Sequence, residues 1–248
     1  MNLKNNIGVI SVTYKESILS SELYTSLFKI RDEIPCNFIF FNYCNSYNIK
    51  SANEVFHEEY SETNGGLALG YNKGLDFFKN KNVSHILFLN SDCIVDLKVL
   101  KTYVKNSDLD FDFFYPKLFS KNKLISPFRK KSFPFDFIII SWLMVKSQTI
   151  KKIKFPKKYW LDGIDYFLSL ELFKMKATGY NLDHKIKHNL SISDEYNKTP
   201  DWRILNIYMS EKHFNINKLV FSYILLKGVI KSIIYCRFRL SYKLLKLL

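Results

Sequence analysis

The feature that most narrows the fold of this chain is an alternation of short apolar runs with helical stretches, repeated through its first half. Each apolar run opens into a polar loop. Residues 7–12 form a β-branched apolar run that ends at Thr13-Tyr14. Over residues 18–30, Leu19, Leu23, Leu27 and Ile30 recur at helical spacing. Residues 37–41 read as a second strand, leading into the polar stretch 42–48, and residues 54–60 as a short third strand. Asn64-Gly65-Gly66 is a turn signal before a helix over 67–78. Residues 85–89 are a fourth strand entering Asn90-Ser91-Asp92. This alternation predicts the α/β class, a mostly parallel central sheet flanked by helices. Ligands of such sheets bind beyond the carboxyl ends of the strands. The loops at 13–14, 42–46, 64–66 and 90–92 are therefore expected along one edge.

The second half is less regular. Residues 111–119 and 133–145 are aromatic-rich and strand-like. Trp160-Leu161-Asp162-Gly163-Ile164-Asp165 is an acidic turn in aromatic surroundings, before a helix over 166–177 that stops near Gly179. Residues 218–248 carry seven basic residues and no acidic one among Leu, Ile, Val, Phe and Tyr. That is the pattern of a basic amphipathic helix lying on a membrane surface; the alternative is a helix packed on a core with its lysines in water. The boundaries expected are 1–95 and 96–217 for two halves of one domain, and 218–248 for the tail.

Composition limits the partners. Thirty-seven Lys and Arg against 23 Asp and Glu give +14, a surplus that suits nucleic acid, an anionic membrane surface or a phosphorylated substrate. Cys36, Cys44, Cys93 and Cys236 form no Cys-x-x-Cys, which fits reduced thiols of a cytosolic protein. The first residues do not read as a signal peptide, and no apolar run reaches the ~18–20 residues of a membrane-spanning helix.

Four segments carry residue types suited to chemistry. Asp92, at a strand end, can bind Mg²⁺ or Mn²⁺ through oxygen, or close an Asx-turn. Residues 64–74 hold four glycines; a helix interior penalises Gly70 and Gly74 by about 1 kcal/mol each, so packing or a ligand must require them. Asp162 and Asp165, three apart beside Trp160 and Tyr166, suit a general base, and Asp165 also suits a helix N-cap. His184 and His188 alternate with Ile186, which places both on one strand face and leaves a metal or phosphate role open.

In this order the segments resemble the family 2 glycosyltransferases of the GT-A fold, and within them the rhamnosyltransferase-type enzymes of bacterial polysaccharide and O-antigen assembly. The residues that carry the resemblance are Ile10-Ser11-Val12-Thr13-Tyr14, Asn64-Gly65-Gly66 with Ala68, Asn72 and Gly74, and Leu89-Asn90-Ser91-Asp92. Residues 160–165, Gly179-Tyr180, His188 and the stretch from Trp202-Arg203 to Tyr208 complete the set over residues 7–210. The resemblance implies a nucleotide-sugar fold with a C-terminal amphipathic helical tail. It implies Asp165 as catalytic base with Asp162 beside it, and Asp92 and His188 on a divalent cation, Mg²⁺ or Mn²⁺. Thr13, Tyr14, Asn42, Gly66, Asn72 and Asn90 fall in the nucleotide-sugar site.

Three departures stand out. Asn42 replaces the Asp that relatives use on the donor base, Asn90 replaces the first Asp of Asp-x-Asp, and Ile164 replaces the usual Glu before the catalytic Asp. The implied activity is an inverting transfer from a nucleoside-diphosphate sugar, such as a rhamnosyl donor, to a glycan or lipid-linked acceptor. It would take place in the cytoplasm at the inner face of a bacterial membrane, with the tail on anionic lipid and no nucleic acid involved. A membrane scaffold built on an impaired enzyme fold and a basic nucleic-acid-binding protein remain the alternatives.

Overall fold

The computed structural model describes residues 6–34, 38–46, 55–129, 135–188, 198–214 and 218–247. Cys36, Asn37, the far end of the 42–48 loop, Glu54, the start of the 133–145 run and Leu248 lie outside the described residues. The chain divides into two compact units, one of Met1–Trp160 and Ile164–Asn189, the other of Leu161–Gly163 and Leu190–Leu248.

The first unit is built on β1 (Ile7–Tyr14), β2 (Phe38–Asn45), β3 (Phe56–Ser61), β4 (His85–Phe88), β5 (Phe113–Ser120), β6 (Lys123–Ser126), β7 (Phe128–Arg129), β8 (Asp136–Phe137), β9 (Met144–Lys146) and β10 (Gly179–Lys187). Its helices are α1 (Glu22–Ile30), α2 (Gly66–Phe78), α3 (Leu97–Asn106), α4 (Ser147–Ile150) and α5 (Ile164–Lys174). The main sheet runs β10-β5-β9-β4-β1-β2-β3, with β6 beside β5 and a separate β7–β8 pair. β1 pairs in parallel with both β2 and β4, and β2 with β3. β9 is antiparallel to both β4 and β5, while β10 is parallel to β5. The fold is therefore the expected mixed α/β architecture, and the carboxyl ends of β1 to β4 share one edge.

β1 is the centre of the core, and all its residues but Tyr14 are buried. A strand covered on both faces needs a near-continuous apolar run. Ile7 and Val9 join Leu23 and Leu27 of α1 and Val99, Leu100 and Tyr103 of α3 in one apolar cluster. The alternate residues Ile10 and Val12 meet α2 at its glycines. A Cβ on Gly70 would lie 2.5 Å from Val12 Cγ2, and one on Gly74 2.7 Å from Ile10 Cγ2. The two glycines serve close helix–strand packing.

Three expectations meet local differences. Residues 138–143 form a turn in place of one long strand, with Trp142 buried at φ +67°. It is tied to the sheet because Trp142 N–H donates to the Phe88 carbonyl at 2.8 Å and Phe88 N–H to the Leu143 carbonyl at 2.9 Å. α5 starts at Ile164, so Asp165 lies in its first turn, and the helix ends at Lys174, with Lys176 left-handed at φ +54°, well before Gly179. β10 shifts register between Asn181 and Lys185, with Asp183 at φ +53°. Past that shift His184, Ile186 and His188 alternate with the exposed Lys185 and Lys187.

The second unit contains α6 (Asp201–Phe214), α7 (Lys218–Ile234) and α8 (Phe238–Leu245). Ile204 of α6, Phe221, Leu225 and Val229 of α7, and Leu240 and Leu244 of α8 form its core. Arg237 pairs with Asp201. The basic tail expected from residue 218 is thus two helices, broken at Cys236 with φ +54°, which share a core with α6. Tyr223, Leu226, Ile230, Ile233 and Ile234 of α7 and Phe238, Tyr242 and Leu245 of α8 are exposed. Among the described residues no helix is long and apolar enough to cross a membrane.

Gly74→Ala is expected to destabilise the protein by about 1–3 kcal/mol, the range for overpacking a filled core. The same change on an exposed helix face stabilises by about 1 kcal/mol. Urea unfolding distinguishes the two signs, and a stabilised variant would mean that α2 is not seated on β1.

Candidate active site

The shared edge carries two groups of side chains. The first lies across β1, β2 and β3. Register sets Ser11 beside Asn42, Thr13 beside Cys44, Asn42 beside Glu58 and Cys44 beside Tyr60. Asn42 is fully buried. Its Nδ2 lies 3.1 Å from Thr13 Oγ1, 3.0 Å from Cys44 Sγ and 3.3 Å from Glu58 Oε1, all as acceptors. Its Oδ1 is buried with no hydrogen-bond partner among the described residues. Tyr60 donates to Glu58 Oε2 at 2.6 Å. Burial pushes the Cys44 thiol up to about 12, so it acts as a neutral donor and acceptor. Thr13 is buried, whereas Tyr14 is 51% exposed where β1 leaves the sheet. Glu58, Cys44 and Tyr60 were not singled out from the sequence. Only strand register, which the sequence does not display, brings them to Asn42.

The glycine turn follows. Asn45 Oδ1 accepts from Gly65 N–H and Asn64 Oδ1 from Gly66 N–H, both at 3.0 Å. Gly66 has φ +74°, and a Cβ there would lie 2.1 Å from the Trp160 carbonyl oxygen. That carbonyl accepts from Leu67 N–H at 2.7 Å, and Trp160 Nε1 donates to the Asn64 carbonyl at 3.1 Å. The first amides of α2 are thereby spent on the protein. Asn72 is also engaged: its amide donates to the Phe155 carbonyl at 2.8 Å and accepts from Phe155 N–H at 2.9 Å. Gly66 and Asn72 shape the edge, holding residues 155 and 160 against α2.

The second group gathers beyond β4. Leu89 N–H donates to the Ile10 carbonyl at 3.1 Å, and Cys93 N–H closes a turn on the Asn90 carbonyl at 3.0 Å. That turn leaves Asn90 half-buried and Asp92 exposed. Tyr71 of α2 is buried between Phe88 and Phe155, and its hydroxyl lies 3.4 Å from Asn90 Oδ1. Burial raises the Tyr71 phenol well above its ordinary range, and the Asp165 and Asp92 carboxylates add to the shift. Tyr71 therefore stays protonated within electrostatic reach of both carboxylates.

Asp165 Oδ1 accepts the Ile140 N–H at 2.9 Å. One turn on, Ser169 Oγ donates to the Asp165 carbonyl at 2.8 Å and accepts from Ile138 N–H at 3.0 Å. The start of α5 is thus pinned to the 138–140 backbone. His188 is buried just past β10, and its N–H donates to the Phe119 carbonyl at 2.8 Å. Burial lowers its imidazole pKa, and the nearby Asp92 carboxylate partly opposes that shift. Asn90, Asp92 and Asp165 therefore lie within reach of Tyr71 at the end of β4, and His188 lies within electrostatic reach of Asp92. His184 is turned elsewhere, its Nε2 lying 2.8 Å from Thr102 Oγ1 of α3.

Asp162 belongs to the second unit. Its Oδ1 is 3.4 Å from Arg203 Nη2, and its backbone carbonyl accepts from Ser210 Oγ at 2.8 Å. Its other carboxylate oxygen is buried with no hydrogen-bond partner among the described residues. Burial raises the Asp162 pKa, and Arg203 opposes that rise.

Among the described residues no three His, Cys, Asp or Glu side chains are placed to hold one metal ion. Asp92 and His188 supply two groups, and the Asn90 oxygen faces the Tyr71 hydroxyl. The side chains present do not make a self-contained cation site.

No family model and no curated protein matches the chain. Its fold does match solved structures. The crystal structure of S. aureus TarS 1–349 superposes with a TM-score of 0.55 at 15% identity, over 83% of this chain and 63% of that one. The structure of GalNAc-T7 with UDP, GalNAc and Mn²⁺ superposes with a TM-score of 0.54 at 10% identity, over 82% of this chain and 48% of that one. The chain thus spans less than two thirds of either structure. The likeness shows a shared mixed α/β fold, a mostly parallel sheet flanked by helices.

Arg203→Met should destabilise the protein by about 3 kcal/mol at pH 7, because it leaves the buried Asp162 carboxylate without its cation. A carboxyl whose pKa is raised by folding binds its proton more tightly in the folded state, so acidification relieves the defect. Relative to wild type, the variant should recover as the pH falls from 7 towards 5, and Asp162→Asn should rescue it at pH 7. Thermal melts at both pH values test this, and a pH-independent defect would remove Asp162 as its cause.

Proposed function

We propose that this chain is an inverting glycosyltransferase that uses Asp165 to activate an acceptor hydroxyl against a nucleoside-diphosphate sugar. The observation that carries the reading is the Asp165 carboxylate, held by the Ile140 N–H and, with Asp92, acting on the buried Tyr71 phenol at the ligand edge of a nucleotide-sugar transferase fold. In this reading Thr13, Tyr14 and Asn42 line the base end of the donor, with Glu58 setting the Asn42 amide. Asn90 and Asp92 lie at the diphosphate end. Asp165 takes the proton from the acceptor oxygen as that oxygen bonds to the anomeric carbon. The bond from that carbon to the diphosphate oxygen breaks, and the nucleoside diphosphate leaves with the bonding pair. Attack from the face opposite the leaving group inverts the centre. General-base assistance of this kind is worth about 10²–10⁴-fold. Asp162 is assigned to holding residues 161–163 on Arg203 and Ser210 within the helical unit.

Were a divalent cation, Mg²⁺ or Mn²⁺, to join the donor's phosphates, Asp92 and His188 would be its protein ligands. No step is routed through it. The ordered motifs favour a rhamnosyl-type donor and a lipid-linked or surface-polysaccharide acceptor. The exposed apolar residues of α7 and α8, beside the exposed Lys227, Lys231, Arg239, Lys243 and Lys246, favour peripheral binding to an anionic membrane at its cytoplasmic face.

Asp165→Asn keeps an oxygen that can accept from Ile140 N–H and removes the base. Turnover should fall by about 10²–10⁴-fold with donor binding and melting temperature nearly unchanged. A variant with near-normal turnover would remove Asp165 from the chemistry. For the membrane, charge reversal tests more cleanly than truncation, because removing α7 and α8 would uncover Ile204. Lys243→Glu with Lys246→Glu should weaken pelleting with phosphatidylglycerol vesicles by at least about ten-fold while the protein stays folded. Unchanged pelleting would contradict the membrane assignment.

A further inference from the structure

The Asn90 side chain stands where the resemblance places a cation-binding carboxylate, yet its surroundings give it a different chemistry. The Tyr71 ring is buried against Phe88 and Phe155, with centroids 5.2 Å and 5.5 Å away. Its hydroxyl has one hydrogen-bond partner among the described residues, Asn90 Oδ1 at 3.4 Å. A buried phenol proton left without an acceptor costs on the order of 1–3 kcal/mol. That cost decides which way the amide faces. Turning Nδ2 towards Tyr71 would set donor against donor and orphan the phenol proton. The Asn90 oxygen is therefore committed to Tyr71. With Oδ1 turned to the phenol, the group Asn90 presents away from Tyr71 is its Nδ2, whose hydrogens have no other partner among the described residues. An amide N–H₂ repels a cation and donates to an anionic oxygen. The side chain is half-buried at the carboxyl end of β4, one residue before Ser91-Asp92 enters the loop, so these hydrogens are available at the ligand edge.

From this geometry we infer that Asn90, oriented by Tyr71, donates hydrogen bonds directly to a diphosphate oxygen of the donor, so that a nucleoside diphosphate is held without a divalent cation. The inference rests on the nucleotide-sugar reading above and concerns how that donor is gripped. Tyr71 is a positioning residue here, because its hydroxyl acts through Asn90. The scarcity of cation ligands agrees with this arrangement: among the described residues no third His, Cys, Asp or Glu joins Asp92 and His188.

The test is calorimetry of UDP, dTDP, GDP and CDP binding to the full chain, in EDTA and in Mn²⁺. At least one nucleotide should bind in EDTA with an affinity within about three-fold of its Mn²⁺ value, a difference under 1 kcal/mol. Asn90→Asp sets a carboxylate against the diphosphate. It should weaken binding in EDTA by about ten-fold or more, recover in Mn²⁺, and tighten Mn²⁺ binding itself as followed by paramagnetic resonance. Tyr71→Phe frees the amide to turn its oxygen outward. Binding in EDTA should weaken roughly three- to ten-fold with a smaller loss in Mn²⁺, whereas a purely structural defect would weaken both arms equally. Binding by wild type only in Mn²⁺, or an Asn90→Asp protein unchanged in EDTA, would overturn this inference and leave the transferase reading standing. No binding of any nucleotide in either buffer would overturn both.

Discussion

The structure depends on the close seating of α2 on β1. Gly70 against Val12 and Gly74 against Ile10 bring the helix to a distance that no side chain would permit. Everything at the ligand edge follows from that approach. One helix delivers Gly66 to the Trp160 carbonyl, Tyr71 to the end of β4 and Asn72 to the backbone of Phe155. Two glycines in a helix oppose its intrinsic propensity. The loss is offset by apolar burial on β1, whose Ile10 and Val12 are shielded from water.

From that framework the two chemical ends of the site are set by different means. The β1–β3 group is made by register: three neighbouring strands stack Thr13, Asn42, Cys44, Glu58 and Tyr60 into one polar ladder. The group beyond β4 is made by burial and charge. Asp92 and Asp165 come from a strand end and a helix start, and His188 from the end of a distant strand. The protonated Tyr71 phenol, within electrostatic reach of both carboxylates, keeps a neutral donor where a third negative charge would be repelled. Such an edge, polar and partly anionic, suits a reaction that takes a proton at one carboxylate while phosphate is held by neutral donors.

Much of the frame was legible in the sequence. The apolar parts of strands 7–14, 38–45 and 85–88 announce themselves because both of their faces are covered, but Thr13-Tyr14 and residues 42–45, expected in loops, continue β1 and β2. Asp165 was expected just before a helix, and it lies within the first turn of α5. Tyr71 was not legible, because an aromatic residue on a helix face reads as core until the helix is seated. Glu58 was hidden for a different reason: alternation shows a strand's two faces but not its neighbour's register. The left-handed residues Trp142 and Asp183 were hidden because both are held by tertiary hydrogen bonds, and neither is a glycine that would mark the turn. In the tail, composition revealed the basic and apolar character but not the shared core, since Ile204 lies on a helix whose other faces are mixed.

The central claim is that this edge breaks the bond between a sugar and a nucleoside diphosphate. Phosphorus NMR reads that bond directly. A panel of UDP-, dTDP-, GDP- and CDP-sugars incubated with the protein and membrane extract should show one nucleotide class consumed, its diphosphate released, and no release with the Asp165→Asn variant. Intact donors across the whole panel, or equal release by the variant, would contradict the account.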